Sequence, residues 1–139
     1  MSHIARIELE IKSLENLKAA CKRLGLKFCE NEKSYKWYGR WVGDQPLPEG
    51  VREDDLGKCQ HMIHVPGAKY QIGIIKREGN YQLLWDNWHA GGLENILGKN
   101  AGLLKQAYAV EAIKRNLRGR VTRLREQKKE STIRITLTV

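Results

Sequence analysis

Residues 4–25 have the sequence IARIELEIKSLENLKAACKRLG, in which the spacing of apolar residues changes from every second residue to every third or fourth. Ile7, Leu9 and Ile11 alternate with charged residues. A period of two predicts a β-strand that buries one face and exposes the other. This strand needs further elements of the fold to cover its apolar side.

A helix is predicted directly after this strand. Ser13 is a good N-cap residue, because its hydroxyl can accept a hydrogen bond from a free backbone N–H of the first turn. Glu15 complements the positive end of the helix dipole, and Gly25 suits the left-handed position that ends many helices. Between them, apolar residues recur at helical spacing on one face: Leu14, Leu17, Cys21 and Leu24.

Three more strands are predicted in the middle of the chain, at 59–65, 70–76 and 81–88. Pro66-Gly67 separates the first two as a turn. Glu78-Gly79-Asn80 predicts a hairpin connection between the last two, of a longer type than the tightest two-residue turn.

A second long helix and a closing hairpin complete the predicted elements. The helix is expected to start near residue 100 and to end at Gly119, with a buried stripe made of Leu103, Ala107, Val110, Ile113 and Leu117. Apolar and polar residues alternate at 133–139, which predicts a strand, whereas 121–125 suits either a frayed turn or a strand. We interpret residues 120–139 as a hairpin that turns near 128–130.

The resulting element order is β-α-β-β-β-α-β-β. It predicts an α+β fold in which two principal helices cover one face of a mainly antiparallel sheet. With 139 residues, 41% of them hydrophobic, the chain has the size and composition of a single domain, residues 1–139. The α-β-β-β-α part has the element order of double-stranded-RNA-binding domains, an analogy that does not fix a function.

Aromatic residues are concentrated in Tyr35-Lys36-Trp37-Tyr38-Gly39-Arg40-Trp41, which precedes a long loop at 43–58. The chain has only one phenylalanine, so tryptophans must fill much of the core, and we expect Trp37 and Trp85 to be buried. Either Tyr38 or Trp41 is then expected at the surface, where it could stack on an unpaired base.

Positive charge is concentrated in residues 99–129, which we call the basic segment. The whole chain has a formal net charge of +9. The basic segment contains 10 basic and 2 acidic residues, whereas residues 1–98 are nearly balanced, with 14 and 13. Such a helix-hairpin segment can be an ordinary solvated surface, or it can attract a polyanion by counterion release. The predicted phosphate contacts are Lys114, Arg115, Arg118, Arg120, Arg123, Arg125 and Lys128.

One cluster has the residue types of a metal site: Cys59, His61 and His64. Zinc normally takes four protein ligands, and the cluster offers three at most. In a strand, His64 would also lie on the opposite face from the other two. We therefore predict that the protein holds no metal and needs no cofactor.

The sequence shows no convergent catalytic site. Cys59 beside a histidine is the only candidate pair of nucleophile and base. Gly91-Gly92 and Gly98-Lys99-Asn100 lack the spacing of a Walker-type phosphate loop. We therefore predict a binding protein and not an enzyme.

Cysteine usage and hydropathy indicate a compartment. The three cysteines, an odd number at wide spacing, do not suggest a disulfide framework and favour a reducing environment. No apolar run approaches the ~20 residues of a membrane span, and no apolar signal segment is found near the first residues. We expect a cytoplasmic protein without a membrane span.

Several short segments resemble, in the same order, a protein family of unknown function. They are Met1-Ser2-His3, Ser13-Leu14-Glu15-Asn16-Leu17-Lys18, Tyr70-Gln71-Ile72-Gly73-Ile74, Leu104-Lys105-Gln106-Ala107-Tyr108-Ala109-Val110-Glu111, Gly119 and Ile133-Arg134-Ile135-Thr136-Leu137. The family includes the hypothetical chloroplast open reading frame thirty-five of plastids and cyanobacteria, with bacterial and phage relatives. Residues 35–60 depart from the family pattern.

The resemblance implies no established activity and no catalytic residues. It implies an accessory role beside an AAA-type ATPase, and it extends the expected locations to the plastid stroma or the cytoplasm of a phage-infected host. Two functions therefore stay open. One is binding of RNA or DNA through the basic segment. The other is a protein-interaction adaptor, whose closing strand pairs with a strand of a partner such as an AAA-type ATPase.

Overall fold

An antiparallel sheet of five strands organises the protein. The computed structural model describes residues 3–41, 43, 46–117, 123–129 and 132–138. The strands of the central sheet are β1 (Ile4–Ile11), β2 (Lys27–Cys29), β3 (His61–His64), β4 (Ile72–Arg77) and β5 (Asn80–Asp86). The helices are α1 (Leu14–Leu24), α2 (Leu93–Leu97) and α3 (Gly102–Asn116), and a separate hairpin is formed by β6 (Arg123–Lys129) and β7 (Thr132–Thr138).

The strand order of the central sheet is β1-β5-β4-β3-β2, and each of these neighbouring pairs is antiparallel. Strands β1 and β2 are the two edges, and α1 connects them. The helix therefore crosses one face of the sheet, where α3 packs beside it. The predicted single α+β domain, with its principal helices on one face of an antiparallel sheet, is confirmed.

The larger core lies between the sheet and these helices. Its sheet side includes Ile7, Ile72, Ile74, Leu83 and Trp85, and its helix side includes Leu17, Ala20, Leu104 and Ala107. The ends of α1 are as predicted. Ser13 Oγ accepts a hydrogen bond from the Asn16 N–H at 3.2 Å, and Gly25 takes the left-handed conformation with φ +73°.

The predicted buried stripe of α3 was partly wrong. Ala107 and Val110 are buried, but Ile113 is 41% exposed, and Leu103 and Leu117 are half-buried. Leu104 and Tyr108 are buried in their place. Tyr108 explains the orientation of the helix, because its hydroxyl accepts from the Lys12 and Ser13 N–H groups, at 3.2 and 3.5 Å, where β1 meets α1.

The other face of the sheet is covered by the segment between β2 and β3. Tyr35, Cys59, Met62, Ile75 and Leu84 form a second buried cluster there. A Cβ at Gly73 would lie 2.4 Å from the Tyr35 ring, so this ring packs directly on the bare backbone of β4. The aromatic segment is thus partly core.

The two tryptophans predicted to be buried have different environments. Trp85 is 1% exposed, as predicted, but Trp37 is only half-buried, at the border of the second cluster. The Trp37 ring also packs closely on Gly57, where a Cβ would lie 2.8 Å from Nε1.

Several boundaries differ from the predicted ones. Arg77 pairs with Asn80, so the connection from β4 to β5 has two residues, Glu78 and Gly79, both at positive φ. This is the tightest hairpin type, and the longer connection predicted from the sequence was wrong because Asn80 belongs to β5. Strand β2 was not predicted, because three residues are too few to show a period. It makes four strands between α1 and α3, which is not the element order of a double-stranded-RNA-binding domain.

The orientation of α3 gives a prediction for two substitutions. Leu104→Ala should reduce the free energy of unfolding by about 2–5 kcal/mol, because Leu104 is fully buried and its truncation leaves a cavity. Ile113→Ala should cost well under half of that, since a large part of the side chain is already in solvent. Urea unfolding of both variants measures the difference. Equal losses would show that the helix face is assigned wrongly.

Candidate nucleic-acid interface

The last turn of α3 carries two of the predicted phosphate contacts. Lys114 Nζ lies 3.9 Å from Glu111 Oε1, in a long and half-exposed ion pair, and Arg115 is exposed. Glu111 also accepts from Arg23 Nε at 3.4 Å. Cations at this position complement the negative end of the helix dipole, so they have a structural role apart from any ligand.

The hairpin of β6 and β7 separates charge from hydrophobicity by its register. The pairing runs from Arg123 opposite Thr138 to Lys129 opposite Thr132. Residues directly opposite share a face, and successive residues alternate between faces. One face therefore holds Arg123, Arg125, Gln127, Lys129, Thr132, Arg134, Thr136 and Thr138. The other holds Leu124, Glu126, Lys128, Ile133, Ile135 and Leu137.

We call the first of these the basic face of the hairpin, because it has four cationic positions and no acidic one. It contains two of the predicted contacts, Arg123 and Arg125. Lys128, a third, belongs to the opposite and mostly apolar face. Arg134 joins the basic face although the sequence did not single it out, because a count of charge along the chain cancels it against Glu130. Arg118 and Arg120 lie outside the described residues.

One of the two predicted stacking residues, Tyr38, lies at one end of the central sheet. Tyr38 is 40% exposed, and its backbone N–H donates to Asp86, a residue that pairs with Ile4 at the start of β1. The middle of α3 contacts the other end of β1 through Tyr108. Since β1 has eight residues, these ends are about 25 Å apart. Tyr38 and the middle of α3 are therefore not brought together. Trp41 is half-buried.

Asp86 is the most unusual polar residue of this region, and sequence reasoning missed it. Its carboxylate is fully buried and accepts three backbone N–H groups: those of His3 at 2.9 Å, Trp88 at 3.1 Å and Tyr38 at 3.0 Å. A buried carboxylate is costly unless such donors surround it. Asp86 therefore ties the residue before β1 and the aromatic segment to the end of β5.

The candidate metal ligands are engaged in other contacts. Cys59 Sγ lies 3.2 Å from the Glu32 carbonyl oxygen, and His61 Nδ1 accepts from the Asn31 N–H at 3.0 Å. His64 Nδ1 lies 3.5 Å from Gln71 Nε2. Among the described residues, no three His, Cys, Asp or Glu side chains are grouped closely enough to hold a metal ion.

Cys59 and His61 are also the candidate nucleophile and base of a cysteine-dependent enzyme. Burial raises the pKa of the Cys59 thiol to about 11, so almost none of it is thiolate at neutral pH. Burial also lowers the pKa of His61, which fits a neutral ring whose Nδ1 accepts a hydrogen bond. His61 thus has a lone pair committed to Asn31 and not to the thiol. Within the described part of the chain, Cys59 has the properties of a packing residue.

Comparison with protein-family models, curated proteins and solved structures gives no match for this chain. The resemblance to the plastid and cyanobacterial family therefore stays a prediction. In the part of the chain that the structure describes, none of the helices has the length and apolar character needed to cross a membrane.

The contacts of Asp86 predict a large effect for an isosteric change. Asp86→Asn should lower the free energy of unfolding by about 1–3 kcal/mol or more, because the new amide group must face at least one of the three backbone donors. Asp54→Asn is the matched control, since Asp54 is exposed and should change stability by less than about 0.5 kcal/mol. If urea unfolding gives the two variants the same stability, Asp86 does not hold these segments together.

Burial of the cysteines predicts their order of alkylation. At pH 8, iodoacetamide should modify the half-exposed Cys29 first, whereas Cys21 and Cys59 should be protected. Burial raises the pKa of Cys21 to about 12 and that of Cys59 to about 11, so both stay protonated as well as shielded. Mass spectrometry of tryptic peptides measures the order, with labelling in urea as the control. Faster labelling of Cys59 than of Cys29 in the native protein would support a reactive thiol.

Proposed function

We propose that this protein is a binding protein without a catalytic centre, and that it binds RNA or DNA through the basic face of the hairpin together with the last turn of α3. The observation that carries the proposal is the register of β6 and β7. It groups Arg123, Arg125, Lys129 and Arg134 on one face with no acidic position among them.

The composition of the basic face suits a phosphate backbone. Arginine presents several donors in a planar fork that matches phosphate oxygens, and its charge does not depend on pH in the physiological range. The other positions of this face are Thr and Gln, whose side chains also donate hydrogen bonds to phosphates. Contacts of this kind position a nucleic acid without reading its sequence, so we expect binding of similar strength to many sequences.

The second candidate is an adaptor that pairs a strand with a partner, such as an AAA-type ATPase. It is favoured by the topology of the hairpin, because a two-stranded sheet leaves each strand paired on one side only. An open edge is a template for β-augmentation. Strand pairing depends little on salt, whereas phosphate binding weakens steeply with it. A partner that stays bound in high salt, after nuclease treatment of a native lysate, would favour the adaptor.

The nucleic-acid proposal predicts a linear fall of log K with log salt concentration. The slope should be about −0.7 to −0.9 per phosphate neutralised, because each contact releases condensed counterions. Arg123→Gln/Arg125→Gln should weaken binding of single- and double-stranded RNA and DNA alike, and make the slope shallower by about one unit or more. Fluorescence anisotropy across a salt series, with the full chain, measures both quantities.

Lys128→Gln is the matched control within the same hairpin, because it removes a positive charge from the opposite face. It should change affinity and slope by less than half of what Arg123→Gln/Arg125→Gln does. Circular dichroism checks that the variants stay folded. If no nucleic acid binds at physiological salt, or if the double variant binds as tightly as the wild type, the proposal is wrong and the adaptor becomes the leading function.

A further inference from the structure

One end of the central sheet collects ring-bearing side chains from four separate parts of the sequence. We call it the aromatic end, and its rings are those of His3, Tyr38, Tyr70, Trp88 and His89. The Trp88 ring contacts two imidazoles, with centroid distances of 4.9 Å to His3, in an edge-on arrangement, and 4.2 Å to His89. The Tyr70 ring packs on Gly91, where a Cβ would lie 2.1 Å away.

The buried carboxylate of Asp86 holds three of these residues in place. The N–H groups of His3, Tyr38 and Trp88 donate to its two oxygens at 2.9, 3.0 and 3.1 Å, so the three backbones are close neighbours. Tyr70 lies near them, because the pKa of its hydroxyl is raised by burial, by Asp86 and by Tyr38. The rings are therefore positioned in advance, and a ligand that packs on them has little ordering to impose.

These rings differ in how much of them solvent reaches. Tyr38 is 40% exposed, and among the described residues only Ile113 is another large apolar side chain that counts as exposed. His89 is exposed as well, whereas His3, Tyr70 and Trp88 are half-buried. Tyr38 thus presents an aromatic ring to solvent from a backbone fixed by a buried carboxylate.

The surface of the aromatic end is positively charged. Hydrogen bonds join the segments 3–4, 36–41, 67–71 and 86–92 there. The only acidic residue within these segments is Asp86, which is fully buried and already accepts three backbone N–H groups. Their lysine and arginine side chains, Lys36, Arg40 and Lys69, are exposed. These segments therefore attract an anionic ligand, and none of them places a carboxylate at the surface to oppose it.

From these observations we propose that the aromatic end binds an unpaired nucleotide, whose base stacks on the exposed ring of Tyr38. The inference rests on the proposed nucleic-acid function and assigns the base-binding part of it. Every base has a π-face, so stacking on an aromatic ring tolerates any sequence. In a duplex these faces are covered by the neighbouring bases, so the aromatic end should favour single strands.

Charge argues against another common ligand of aromatic sites. A quaternary ammonium group is bound by the faces of aromatic rings, but here it would approach exposed cations. A proline-rich peptide also docks on aromatic side chains, and the experiment separates it from a nucleotide because it carries no base.

The test is fluorescence anisotropy of the full chain with three labelled ligands of equal length: a single strand, its duplex and an abasic single strand. Tyr38→Leu should weaken binding of the single strand by about fivefold or more, because it removes the stacking ring. Binding of the duplex and of the abasic strand should not change. The salt slope should also stay the same, since the variant removes no phosphate contact.

Two variants serve as controls. Tyr38→Phe keeps the ring and should bind the single strand like the wild type. Tyr81→Leu makes the same substitution as Tyr38→Leu in a half-buried tyrosine near the other end of β5, and it should also bind like the wild type. Urea unfolding checks that each variant is folded.

Three outcomes overturn the inference. They are equal single-strand affinity of Tyr38→Leu and the wild type, an equal loss with the abasic strand, and Tyr38-dependent binding of a proline-rich peptide but not of the single strand. Arg123→Gln/Arg125→Gln separates this inference from the proposed function. If that variant loses binding and Tyr38→Leu does not, only the inference is wrong. If only Tyr38→Leu loses binding, the basic face is wrong and the aromatic end stands.

Discussion

The buried carboxylate of Asp86 is the constraint on which the arrangement of the chain depends. Three backbone N–H groups, from three separate parts of the sequence, converge on its two oxygens. A carboxylate taken out of water needs these donors, and each donor needs an acceptor once it is buried. The carboxylate and its donors therefore need each other. Their hydrogen bonds hold the residue before β1 and the aromatic segment at the end of β5.

The two faces of the central sheet are covered by different means. Two helices cover one face, and the segment from Tyr35 to Cys59 covers the other with an aromatic ring laid on Gly73. A side chain at Gly73 would lift that ring from the sheet.

Local periodicity was enough to predict β1, α1 and the last strand, because each of these has a pattern contained within about ten residues. The hairpin turn was predicted too early, near 128–130, since β6 extends to Lys129. It could not predict Asp86, whose partners lie 83 and 48 residues away in His3 and Tyr38. Ile113 was assigned to the buried face for a related reason. The rotation of α3 also depends on a long-range hydrogen bond, in which the Tyr108 hydroxyl accepts from the Lys12 N–H between β1 and α1.

The basic face shows how much depends on register. A turn centred on Lys129 would have paired Arg123 with Ile135, and cations and apolar residues would then share both faces. The observed pairing of Arg123 with Thr138 separates them. It also sets each cation of that face opposite Thr or Gln, which avoids the destabilising contact of like charges directly across strands.

A two-stranded hairpin is marginal by itself in water, and here β7 contacts α3. The contact between β7 and α3 therefore adds support that the two strands alone do not supply. The four cationic positions add no pairing of opposite charge within their face. They concentrate positive charge on one face of the hairpin, and like charges grouped in this way raise the local positive potential without adding an attractive contact to the fold.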